Sequence, residues 1–292
     1  MCDDNSIDDM IEFAKRSNDL TRRRFGALSI GVGLTMALPR VAGAADVKEA
    51  EIEIKTPDGV ADAYFVHPTT GTHPGVLVWA DAMGLRPAFK QMAQRLAESG
   101  YAVLVPNPFY RTMKAPIVPP GSSFQDPETR KTIMAMMGAL NPDTHVKDAK
   151  TFVAYLDSQP AVDKKRKMGT TGYCMGGPIT MRTAATLPDR IGAAGSFHGG
   201  GLVTDKPDSP HLLVPKMKAQ YLIAIAENDD KQQPTAKDTL RESFAAAKLP
   251  AEIEVYTGAQ HGWCPPDSAV YNEALAEKAW ERLLTLFKKA LV

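Results

Sequence analysis

Two hydrophobic periods share this chain. Glu51–Thr56 and Ala61–His67 alternate apolar and polar positions and predict an antiparallel opening hairpin. Further on come unbroken apolar runs: Gly75-Val76-Leu77-Val78-Trp79-Ala80 and Ala219-Gln220-Tyr221-Leu222-Ile223-Ala224-Ile225-Ala226. The second is long enough for a buried parallel strand. Lys167–Thr171 reads as the end of another buried strand, Gly192–Ser196 as a strand of small residues, and Ala251–Tyr256 as the last strand. The 3.6-residue period marks helices at Ile179–Ala185, from about Pro234 to Ala247, and from about Ser268 to Leu291. The last places Ala276, Trp280, Leu283 and Phe287 on one face. From about residue 75 strands and helices alternate, which predicts an α/β fold with a mostly parallel central sheet and helices on both faces.

The longest irregular stretch, Arg111 to Pro127, is rich in Pro, Gly and Ser and leads into a helix carrying Met134, Met136 and Met137. Near an active edge this insertion would line a pocket. The alternative is a surface excursion followed by core methionines.

Chemistry concentrates at Gly172-Tyr173-Cys174-Met175-Gly176-Gly177. A strand precedes it and a helix follows, the context of a nucleophile elbow of the form G-x-nucleophile-x-G. Cys174 holds the nucleophile position. The small residues at 172 and 176 suit a strained turn beneath which strand and helix pack closely. A thiol at a helix N-terminus is a candidate thiolate, because exposed N–H groups and the helix dipole favour an anion.

In hydrolases with such an elbow the chain order is nucleophile, acid, base. After Cys174, the run Ala219–Ala226 ends in Glu227-Asn228-Asp229-Asp230, which puts acids just past a strand's carboxyl end. Asp229 is the preferred triad acid and Asp230 the alternative. The next strand leads into Gly258-Ala259-Gln260-His261-Gly262-Trp263, where His261 stands as the base. His67, His73, His145 and His211 read as surface residues, and His198 either lines the site or satisfies its own loop. The backbone N–H groups of Met175 and Ala82 are the candidate oxyanion donors, Ala82 lying in the loop after Gly75–Ala80. No His, Cys, Asp or Glu cluster has metal-ligand spacing, so neither a metal nor another cofactor is expected.

With its cysteine elbow, the Asp after a buried strand and the late His-Gly, the chain resembles the dienelactone hydrolase family from about residue 48 to the C-terminus. The resemblance implies the α/β-hydrolase fold, a Cys-Asp-His triad, and hydrolysis of a carboxylate-bearing enol-lactone to a maleylacetate-type product. It also implies a thiol-tuning acid in the oxyanion loop, where this chain has Asp81. It further implies an arginine binding the substrate carboxylate, where Arg111 in Asn107-Pro108-Phe109-Tyr110-Arg111 is the match. The second arginine that the family places shortly after its histidine is missing, and the chain reads Gly262-Trp263-Cys264-Pro265-Pro266-Asp267 instead.

The N-terminus carries a different signal. Thr21-Arg22-Arg23-Arg24-Phe25 matches a twin-arginine export motif, an apolar run from Gly26 to Leu38 follows, and Ala42-Gly43-Ala44 is a small-x-small cleavage site. Residues 1–44 are therefore read as a signal peptide, residues 45–292 as one hydrolase domain, and the mature protein as periplasmic in a bacterium, with no membrane anchor after cleavage. Lys plus Arg number 34 and Asp plus Glu 34, with six of each within residues 1–44. That even balance argues against nucleic-acid or anionic-membrane binding. The expected partner is a small ester or lactone, and the expected state is monomeric. Of the three cysteines, Cys2 would leave with the signal, while Cys174 and Cys264 would share an oxidising compartment, where a disulfide between them would silence the thiol. Competing readings are a general esterase or acyltransferase on the same triad, and a non-enzymatic thiol redox or ligand-binding protein.

Overall fold

The computed structural model describes residues 37–39, 41–119 and 121–292. The expected hairpin forms from β1 (Val47–Thr56), which starts earlier than the alternating pattern indicates, and β2 (Gly59–Pro68), which is longer at both ends. Beyond the hairpin come β3 (Gly75–Trp79), β4 (Ala102–Pro106), β5 (Met168–Tyr173), β6 (Ile191–Phe197), β7 (Gln220–Ala226) and β8 (Ala251–Tyr256), of which the buried β4 is a strand that the hydrophobic pattern above does not mark. Among the described residues these strands make one eight-stranded sheet in the order β1-β2-β4-β3-β5-β6-β7-β8. β2 pairs antiparallel with β1 and with β4, and every other neighbouring pair is parallel.

Helices cover both faces, as the alternation requires. Phe89 and Leu96 of α1 (Pro87–Glu98) and Leu283 and Phe287 of α7 (Glu273–Ala290) pack one face of the sheet. Phe152 of α3 (Pro142–Ser158), Ile179 of α4 (Gly176–Thr186) and Phe244 of α6 (Ala236–Ala246) pack the other. Pro142 is pre-set for the first turn of α3, and Asn141 caps it by accepting the N–H groups of Asp143 and Thr144. Among the described residues the remaining α-helices are α2 (Pro127–Met137) and α5 (Glu227–Gln232), and a 3-10 helix spans Pro210–Lys216. The acidic segment after β7 is thus a short helix, and α6 begins two residues later than its periodicity suggests. Among the described residues, no helix is long and apolar enough to cross a membrane.

The strand order decides where a site can form. From β3 the chain steps outward to β4 and then returns to the other side of β3 to lay down β5. The carboxyl ends of β3 and β5, with Trp79 opposite Gly172, therefore flank the point where the winding reverses. A crevice opens at such a point in doubly wound sheets.

Candidate active site

β5 delivers Cys174 into that crevice with a φ of 54°, in the left-handed region that costs most residues about 1–2 kcal/mol. Tight packing around the turn imposes it. A Cβ at Gly172 would stand 2.0 Å from the carbonyl oxygen of Gly176, and one at Gly176 would stand 2.4 Å from that of Trp79. Only glycine lets β5, α4 and β3 come this close. The amide N–H of Cys174 donates to the carbonyl of Phe197 and to Nδ1 of His198, both at 3.1 Å. Met175 occupies the N-cap of α4, so the thiol stands at the positive end of that helix.

β7 and β8 supply the acid and the base. In α5, Asp229 presents both carboxylate oxygens to Nδ1 of His261, at 3.0 and 2.8 Å. Asp230 instead pairs with Lys237 at 2.8 Å. The neighbouring Asn228 accepts the backbone N–H of His261 through Oδ1 at 2.8 Å and fixes the loop. Nothing in the sequence singles out Asn228 except its place beside Asp229. His261 is 2% exposed, and its Nε2 is buried with no nitrogen or oxygen partner among the described residues. Burial alone would lower its pKa. The Asp229 carboxylate and the Cys174 side chain outweigh that and hold it well above the ordinary histidine value.

His198 completes this centre. It is 1% exposed, with a φ of 40°, and its ring lies 5.1 Å from those of His261 and Trp263. Burial, and then the charge on His261, hold its pKa well below the ordinary value. A neutral ring that accepts the Cys174 N–H through Nδ1 carries its proton on Nε2. Of the two sequence alternatives for His198, the structure places it against Cys174. His67, His73 and His211 bond to nearby loop groups away from this centre, whereas His145, expected at the surface, has both ring nitrogens buried, which pushes its pKa down to about 3.

The expected oxyanion residues Ala82 and Met175 share one apolar cluster with Cys174, together with Phe109, Ile117 and the α2 residues Ile133, Met136 and Met137. The insertion and its methionine helix thus cover the thiol. Asp81 and Arg111 are committed elsewhere. Asp81 accepts the N–H of Met83 and is held two-pronged by Arg86 at 2.6 and 2.9 Å, with Arg86 also gripping Asp267. Arg111 spans Asp148 at 2.7 and 2.9 Å and Asp58 at 2.8 and 3.0 Å. Asp148 is 3% exposed and also accepts the Tyr110 hydroxyl. The Arg111 guanidinium thus faces two of the protein's own carboxylates.

No disulfide joins Cys174 and Cys264. Cys264 belongs to the core on the α1 and α7 face of the sheet, where burial pushes its thiol well above the usual range. Cys2 and the arginines of Thr21–Phe25 lie outside the described residues, while Ala42 and Gly43 form an exposed turn followed by exposed Ala44.

The sequence profile of the dienelactone hydrolase family matches residues 61–291. The carboxymethylenebutenolidase of Rhodococcus opacus is 26% identical over 244 residues, covering 81% of this chain and 90% of its own. A solved structure from Klebsiella pneumoniae superposes with a TM-score of 0.70 at 24% identity, covering 84% of this chain and 99% of that one. A dienelactone hydrolase-like promiscuous phosphotriesterase from metagenomic libraries gives 0.69 at 20% identity, over 86% and 100%. At these identities the structural matches speak for the fold.

Proposed function

The chain belongs to the dienelactone hydrolase family, and we propose that within it Cys174, His261 and Asp229 act as nucleophile, base and orienting acid in hydrolysing small carboxylic esters or lactones. The observation carrying this reading is the two-pronged Asp229–His261 contact at the strand ends that also hold Cys174, with the imidazole's pKa raised by both partners. That arrangement supports a resting thiolate–imidazolium pair.

Attack proceeds from the Cys174 thiolate on the acyl carbon. A C–S bond forms and the carbonyl π pair moves onto oxygen, where the N–H groups of Met175 and Ala82 are the proposed donors. Collapse breaks the C–O bond, and the departing alkoxide takes the proton from His261. In a lactone that alkoxide stays tethered to the acyl group. His261, now neutral, removes a proton from water as its oxygen attacks the thioester. The C–S bond breaks, the carboxylic acid leaves, and the thiolate–imidazolium pair is restored. Asp229 holds the ring so that Nε2 faces the chemistry throughout.

The test is hydrolysis of p-nitrophenyl acetate by the wild type, Cys174→Ala and His261→Ala, under reducing and non-reducing conditions. A loss of roughly 10³-fold or more in both variants supports the triad. Wild-type rates in Cys174→Ala would contradict it. We also propose export by the twin-arginine route, supported by Thr21–Phe25 and the exposed Ala42-Gly43-Ala44 turn. N-terminal sequencing of periplasmic protein should then begin at Ala45, and an intact N-terminus in the cytoplasmic fraction would refute export.

A further inference from the structure

Apart from the imidazoles of His198 and His261, one apolar cluster packs with Cys174. Phe109 and Ile117 descend from the connection after β4, and Ile133, Met136 and Met137 occupy the i, i+3, i+4 stripe of α2. All five are buried. The arginines of the neighbouring loops are already neutralised. Arg111 and Lys147 face Asp58 and Asp148, two cations against two anions. Arg86 faces Asp81 and Asp267, one cation against two. Neither group leaves a positive charge to receive a substrate carboxylate.

We propose that this site, given the thiol chemistry above, selects uncharged apolar acyl groups and discriminates against carboxylate-bearing ones, with Ile133, Met136 and Met137 as the specificity-determining residues. A carboxylate brought among these side chains loses its hydration with nothing to replace it. An alkyl acyl chain gains by leaving water. Two of the three stripe residues are methionines, whose unbranched, polarisable side chains re-pack around different shapes. The site therefore tolerates variation in acyl shape far better than variation in acyl charge.

The test compares kcat/KM of the full chain on p-nitrophenyl butyrate and p-nitrophenyl hemisuccinate, acyl groups of equal length that differ in one carboxylate. The butyrate should be favoured tenfold or more, and Met136→Lys should move the ratio at least tenfold toward the hemisuccinate. A second readout needs neither turnover nor a variant. Peptide mass spectrometry follows alkylation of Cys174 in the wild type by N-butyl iodoacetamide and by the near-isosteric iodoacetyl-β-alanine. Each rate is normalised to free cysteine. The neutral reagent should react tenfold or more faster. Equal rates, or preference for the carboxylate in either assay, would overturn the proposal. Hydrolysis that survives Cys174→Ala would overturn the thiol reading alone, and the alkylation ratio would still decide the pocket.

Discussion

The backbone N–H of Cys174 donates to Nδ1 of His198 at 3.1 Å. The position of Cys174 thus depends on a ring that must stay neutral, because a protonated Nδ1 cannot accept. Burial and the neighbouring His261 charge keep it so. Asn at 198 can offer Oδ1 in place of Nδ1 and tolerates the left-handed backbone. His198→Ala should lower kcat/KM about tenfold, the worth of one hydrogen bond of about 1–1.5 kcal/mol, and His198→Asn should recover most of it. Equal activity in both variants would show that the contact positions nothing.

Asp229 is expected to set the upper pH limit of the proposed thiolate–imidazolium pair. Its carboxylate is one of the groups that raise the His261 pKa. Without that charge the imidazolium is less favoured and its pKa falls. The alkaline limb of kcat/KM on ethyl butyrate, whose departing alkoxide needs the imidazolium proton, should move to lower pH in Asp229→Asn. Asp230→Asn should leave it in place, since Asp230 pairs with Lys237. Identical profiles in Asp229→Asn and the wild type would contradict the assignment.

Arg111 is expected to matter for stability rather than for substrate charge. Its loss leaves Asp148, 3% exposed, with the Tyr110 hydroxyl but without its cation. Breaking a buried pair in this way costs about 3–5 kcal/mol, and the solvent-facing Asp58 side of the clamp moderates it. Arg111→Met should destabilise by roughly 2–4 kcal/mol in urea titration. The butyrate-to-hemisuccinate ratio should stay unchanged. A selective loss of hemisuccinate activity with wild-type stability would make Arg111 a substrate residue.

Gly172 tests whether the elbow depends on close packing. The oxygen 2.0 Å from its would-be Cβ belongs to the backbone and cannot swing aside. Gly172→Ala should cost about 3 kcal/mol or more and displace the thiol, measured by urea midpoint and alkylation rate. A midpoint near that of the wild type would show that the turn can relax.

How much of this was legible in the sequence depended on the range of the signal. The elbow, the acid segment after β7 and the histidine after β8 are local patterns at strand ends, and each lies where its spacing indicated. The choice between Asp229 and Asp230 was not local, since the two are adjacent and only α5 assigns one to His261 and the other to Lys237. Arg111 finds Asp148 and Asp58 at separations of 37 and 53 residues, and Arg86 finds Asp267 at 181. No periodicity carries such pairings. The methionine helix was visible, but its position over Cys174 comes from the path of the insertion.

Trapping the acyl-enzyme decides whether Cys174 carries the reaction. The full chain is mixed with p-nitrophenyl butyrate, quenched in acid during turnover, and its peptides are weighed. A single butyryl group on the peptide containing Cys174, absent from Cys174→Ala, is the predicted result. Turnover with no acyl group on that peptide, or an adduct that persists in Cys174→Ala, would contradict it.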